Sequence, residues 1–298
     1  MSIFGSKEMT AKGMARKPRA TTKQWFDFPR DSYMERTGRP IYALVFLLPF
    51  IIFYELGTIF INTDVLSQTQ VRVVAFVWLQ DLLAYLGFGG KFLWAAPAVV
   101  VVIILLAYQL VSSKPWWISI TDMLPMAIEC VLLAIPLIVL SLFLNASTVA
   151  KESVAVDVPA VVRCAAEQSA AIQKGPTLLA DIVTGVGAGI YEELLFRLAL
   201  ICMLMLLFQD VLGWGRNNSV VLAVLVSAAL FAAHHHIDFL SGRPNQNDIF
   251  DWSKFAFRTI AGVYFAALFA IRGFGITAGT HAFYDIIATL ISTLAFGR

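Results

Sequence analysis

Charge is what this chain has least of. Asp, Glu, Lys and Arg make up only 14% of its 298 residues and 59% are hydrophobic, whereas a soluble domain is roughly one-quarter charged. That deficit excludes an ordinary soluble fold and implies an integral membrane protein. Cysteine is scarce too. Cys130, Cys164 and Cys202 are scattered without pair spacing, which excludes a disulfide framework or a zinc-finger motif and leaves them as small apolar fillers. No HExxH helix, GxSxG elbow or GxGD acid occurs, and no internal repeat or low-complexity tract is evident. The net charge of +2 identifies no partner, and no nucleic acid is expected among them.

The charges that are present are unevenly placed. Residues 1–40 are polar and basic, with Lys7, Lys12, Arg16, Lys17, Arg19, Lys23, Arg30, Arg36 and Arg39 only partly offset by acids. The positive-inside rule keeps this segment in the cytoplasm, and it reads as a flexible tail that fixes orientation. Apolar runs follow at about 41–61, 92–111 and 123–144, then, after a polar loop over 145–175, at 178–208, 219–239, 255–271 and 276–296. Most are near the roughly 20 residues needed to cross a bilayer, and 178–208 is longer. The stretch 71–88 is interrupted by Arg72, Gln80 and Asp81 and reads as either a short span or an interfacial helix. The expected fold is therefore an all-α, polytopic transmembrane bundle of about eight spans, or seven if 71–88 is interfacial. Its parts are a tail at 1–40, N-terminal spans and polar loop at 41–177, and a C-terminal helical core at 178–298. Within the spans, Glu55 and Glu129 are isolated acids. Glu55 is set outside the site, and Glu129 reads as a helix-packing group or a protonated acid.

Against this apolar background the segment Tyr-Glu-Glu-Leu-Leu-Phe-Arg at 191–197 stands out. Charges at membrane depth cost several kcal/mol each unless paired or placed in a wet cavity. At about 100° per residue, Arg197 lies roughly 40° around the helix from Glu193 but about 140° from Glu192. Glu193 and Arg197 are thus expected to neutralise each other, while Glu192 points towards neighbouring helices. A single ion pair needs no second carboxylate at that depth.

All four histidines lie in two later segments, Phe231-Ala-Ala-His-His-His236 and His281-Ala-Phe-Tyr-Asp285. His235 follows Phe231 by one helical turn, so an aromatic wall shields it on one face. His234 and His236 are turned about 100° away, which prevents the triplet from converging on one point. His281 and Asp285 share a face and address one atom between helices. A carboxylate, a shielded histidine and a His/Asp face on separate helices supply what acyl hydrolysis needs: a base for water, a group to orient it, and donors for the developing oxyanion.

These three motifs, in this order on late spans, resemble EExxxR, FxxxH and HxxxN/D of the CAAX prenyl protease and bacteriocin-processing family, also called the ABI or type II CAAX endopeptidase family of intramembrane glutamate proteases. The resemblance covers about residues 178–296. It implies that Glu192 is the general base, that His235 positions the water, and that His281 with Asp285 forms the oxyanion side, supported by Glu193, Arg197 and Phe231. An ionised Asp285 would repel an oxyanion, so it must be protonated or act through His281. The expected function is metal-free and cofactor-free intramembrane endopeptidase activity in the cell (plasma) membrane, on a membrane-associated peptide or protein embedded in the lipid bilayer. The competing expectations are a zinc-dependent membrane metalloprotease and a non-catalytic peptide-binding or immunity protein. A proton-coupled transporter is a third, unsupported by any inverted repeat. One geometric difficulty is visible in advance. If 255–271 crosses fully, the spans carrying His235 and His281 run parallel, with one histidine near the end of its span and the other near the start.

Overall fold

The structure, a computed structural model, describes residues 28–61, 72–89, 93–152, 178–239, 242–244 and 250–296. It is an all-α bundle. The helices are α1 (Tyr33–Thr37), α2 (Pro40–Ile61), α3 (Val74–Tyr85), α4 (Ala96–Ser112), α5 (Met123–Glu152), α6 (Leu178–Val211), α7 (Arg216–His236), α8 (Trp252–Arg272) and α9 (Phe274–Phe296). A two-residue antiparallel pair, Ile237–Asp238 with Arg243–Pro244, closes the turn after α7. By length and apolar composition six helices can cross a membrane: α2, the segment Ile120–Leu144 that includes most of α5, α6, α7, α8 and α9 up to Leu294. Helix α4 has 17 residues. The stretch left open between a span and an interfacial helix is α3, whose 12 residues rise only about 18 Å at 1.5 Å each, less than the roughly 30 Å of a hydrocarbon core.

The bundle turns apolar side chains outward. Leu110, Leu124, Phe143, Met203 and Leu294 are all exposed, a pattern that only a lipid solvent makes favourable. The interior holds the charges instead: Glu192, Glu193, Arg197 and Arg272 are buried. Helix α2 keeps Pro49 within its length, as spans do when neighbouring groups satisfy the freed carbonyl.

Part of the expected tail is packed against the bundle. Ser32 caps α1, its hydroxyl accepting from the Glu35 amide. Arg39 is paired with Glu35 at 2.6 Å and Asp31 at 2.9 Å, and Arg36 with Asp122 at 3.0 Å. Arg272 joins α8 to this cap, donating to Glu129 at 2.6 and 2.8 Å and to the Thr37 hydroxyl at 2.9 Å. Tyr33 also donates to Glu129, at 2.8 Å, and burial beside that carboxylate pushes its phenol well above its usual range. Glu129 is therefore a packing group with a basic partner distant in sequence. Residues 1–27 and, within the expected polar loop, residues 153–175 lie outside the described residues.

Cys130 is buried and its thiol donates to the Ile276 carbonyl at 3.5 Å, as a small filler between α5 and α9. Cys202 is free and exposed. Neither forms a disulfide, and Cys164 lies outside the described residues.

The core of the fold is the packing of α6 on α2 and α9. Small residues let these backbones approach. A Cβ at Gly189 would lie 2.6 Å from the Ala282 amide nitrogen and 2.7 Å from the Ala278 carbonyl oxygen, and one at Gly185 would lie 2.7 Å from Asp285 Cβ. Gly187 faces the Tyr54 ring on α2. This close contact places the acids that follow Tyr191 directly against His281 and Asp285.

Candidate active site

Glu192 and Glu193 close the regular part of α6, and residues Leu194–Leu200 continue it as a π-helical segment. Such segments leave backbone groups that need other partners and are frequent at functional sites. Here Ser227 of α7 donates to the Phe196 carbonyl at 2.7 Å, which ties the widened turn to the histidine-bearing helix.

The expected Glu193 and Arg197 pair is present, both side chains fully buried, with Nε and Oε2 3.1 Å apart. The N–H does not point along that contact, so it is an ion pair rather than a good hydrogen bond. Arg197 is sandwiched by rings, its Cζ 4.3 Å from the centre of Phe231 and 5.6 Å from that of Phe265, and Nη2 donates to the Gly262 carbonyl at 3.4 Å. Phe231 therefore does more than shield His235. It stacks on the guanidinium and touches His281, ring centres 5.9 Å apart.

Glu193 has a second function that its helical spacing does not reveal. Its Oε1 lies 2.8 Å from His281 Nδ1, so it accepts the Nδ1 proton and leaves Nε2 facing Glu192 and Asp285. Phe265 stacks flat on the same imidazole at 4.6 Å, and together they hold the ring. His281 Nε2 then lies 4.0 Å from Glu192 Oε2 and 3.5 Å from Asp285 Oδ2. Asp285 thus meets the imidazole nitrogen that faces Glu192.

On the other edge of Glu192, Oε1 lies 3.5 Å from His234 Nε2. The first histidine of the triplet, not only His235, faces the carboxylate. Ligating atoms of Glu192, His234 and His235 lie within 4.8 Å of one another, and the two imidazole centres are 3.9 Å apart. Both rings approach the Phe231 carbonyl through Nδ1, His235 at 3.0 Å, since they follow it by three and four residues on α7. His236 turns away to Arg258, at 3.2 Å, and to Phe250. His234 was legible only as one of three alternatives, since a 100° offset on an ideal helix places it off the His235 face.

The apparent conflict of depth is resolved by the α8–α9 hairpin. Gly273, at φ +79°, reverses the chain, and Phe265 and His281 lie symmetrically on either side of it and stack. His281 is about two turns into α9 rather than at its start. Helix α8 is a 21-residue helix, and the histidines meet at unequal positions along α7 and α9. The small-residue faces that make this possible, Gly185, Gly187 and Gly189 against Ala278 and Ala282, were a readable signal that the charged motifs overshadowed.

Beside Glu192 and Asp285 lies a cavity of about 430 Å³, whose wall also includes Arg72, Asp181, Gly185 and Tyr284. The polytopic apolar bundle with carboxylates and imidazoles gathered at its centre defines a class, that of membrane-embedded hydrolases. Residues 174–297 match the family model described as Type II CAAX prenyl endopeptidase Rce1-like, the family that the three motifs resemble. That match supports a membrane protease and bears out the resemblance over the segment carrying all three motifs. Comparison with curated proteins and with solved structures returned no match.

Proposed function

We propose that this protein is an intramembrane endopeptidase that hydrolyses a peptide bond with water activated by Glu192. The observation that carries the reading is the position of that carboxylate, buried beside a cavity with His234 at 3.5 Å from one oxygen and His281 at 4.0 Å from the other. Those spacings leave both oxygens close to imidazoles without a tight ion pair, room that a water and a carbonyl require.

In this mechanism Glu192 takes a proton as the water oxygen bonds to the carbonyl carbon. His234 and His235 orient the water, and His281 acts as an imidazolium, its Nδ1 proton held by Glu193 and its Nε2 proton turned to the developing oxyanion. The carbon–nitrogen bond then breaks as the proton held by Glu192 passes to the leaving amine. Glu193 keeps His281 in place, Arg197 compensates Glu193, and Asp285 biases the orientation of His281. The substrate is a membrane-associated peptide or protein, and the setting is the plasma membrane with the N-terminus cytoplasmic. The test compares membrane-peptide products made by the purified full-length protein and by Glu192→Gln in lipid nanodiscs. Loss of the products in the variant is expected; turnover at the wild-type rate would overturn the mechanism.

The clustering of Glu192, His234 and His235 within 4.8 Å favours a second reading, a zinc protease with these three ligands and water in an open position. Metal content of active protein and the effect of a chelator separate the two. Activity that survives complete metal removal supports glutamate chemistry, whereas loss restored by zinc supports the metal.

A further inference from the structure

The cavity beside Glu192 is lined by three acids, Asp181, Glu192 and Asp285, and by a single base among the described residues, Arg72. Arg72 precedes α3, and its Nε and Nη1 are buried without a hydrogen-bond partner. Its position is well braced. Cζ lies 4.5 Å from the centre of the Phe76 ring, Phe76 packs edge-on against Tyr191 at 4.9 Å, and Tyr191 immediately precedes Glu192.

Glu55 makes no ion-pair contact with Arg72; its Oε1 instead accepts from the Tyr191 hydroxyl at 3.1 Å. A guanidinium with two buried, unpaired donors is costly, and a carboxylate is the acceptor that best complements its charge and planar set of donors. The three acids in the same wall disfavour a multiply charged phosphate, whereas one carboxylate adds a single charge directly at the guanidinium.

We propose that Arg72 binds a carboxylate of the peptide substrate and so sets which bond reaches Glu192. The inference rests on the endopeptidase reading above and deepens it. The carboxylate is supplied either by the C-terminus of the peptide or by an acidic side chain. Both present the same chemistry to the guanidinium.

Binding without turnover separates this proposal from the mechanism. Full-length Glu192→Gln protein in nanodiscs of zwitterionic lipid is titrated into fluorescent, acyl-anchored apolar peptides of one sequence. They end in a free carboxylate, in a carboxamide, or in a carboxamide with one internal Glu. Anisotropy should show at least one carboxylate peptide bound about tenfold more tightly than the neutral one, as expected for a charge-assisted contact, and which of the two is preferred identifies the source. Adding Arg72→Gln should abolish that preference while leaving neutral-peptide affinity unchanged, and Arg72→Lys should retain part of it. Absence of any carboxylate preference, its persistence in Arg72→Gln, or an equal loss of affinity for all peptides would each overturn the proposal. Because Glu192 is already replaced, the result stands apart from whether Glu192 proves to be the base.

Discussion

Replacing Gly189 with alanine tests whether the close approach of α6 and α9 assembles the site. The new Cβ would sit 2.6 Å from the Ala282 amide nitrogen and 2.7 Å from the Ala278 carbonyl oxygen, against about 3.4 Å for ordinary contact. Both obstacles are backbone, so relief requires the helices to part by about 0.8 Å near His281. Overpacking of this kind costs about 1–3 kcal/mol, and a displacement near 1 Å between reacting groups lowers turnover by about a hundredfold. Gly185→Ala, which meets Asp285 Cβ at 2.7 Å, should behave similarly. Gly89→Ala is the control, because nothing lies within 4 Å of its new methyl group. Thermal unfolding in detergent and product formation in nanodiscs measure the two consequences. Gly189→Ala protein that matched Gly89→Ala in both would show that the contact is slack and that the site does not depend on it.

Three further outcomes are expected. Arg197→Leu strands the fully buried Glu193 carboxylate and should destabilise by about 3–5 kcal/mol; Glu193→Leu with Arg197→Leu should cost less than the two singles added, as a double-mutant cycle in unfolding experiments will show. His234→Gln should slow cleavage at least as much as His235→Gln, since His234 is the histidine 3.5 Å from Glu192, and wild-type kcat in His234→Gln would remove it from the mechanism. At Glu35, burial raises the carboxyl pKa, but hydrogen bonds from Arg39 and Lys114 outweigh it and hold the value below the ordinary 4.5. Its stabilising contribution is therefore complete above about pH 4.5 and is lost as pH falls through the depressed folded-state value. The stability difference between wild type and Glu35→Gln should stay constant at neutral pH and shrink on acidification below 4.5.

Much of this protein was legible in local properties of the chain. Low charge and long apolar runs give a helical membrane bundle, because lipid leaves backbone polar groups no other partners. The turn of a helix pairs Glu193 with Arg197 and separates Glu192 from them. Three ordered motifs carried the family resemblance over the same segment that the family model matches. Other relations depended on partners far apart in sequence. The basic partner of Glu129 is Arg272, and the acceptor for His281 Nδ1 is Glu193 rather than the neighbouring Asp285. The histidine meeting Glu192 is His234, reached at the end of α7 beside a π-helical turn that periodicity does not foresee. Hydropathy and helical spacing describe one helix at a time, and so they determined which segments are spans and which side chains share a face. The rotation and depth of one helix against another are set by where glycines meet alanines and rings, and only that packing decided which acid faces which imidazole.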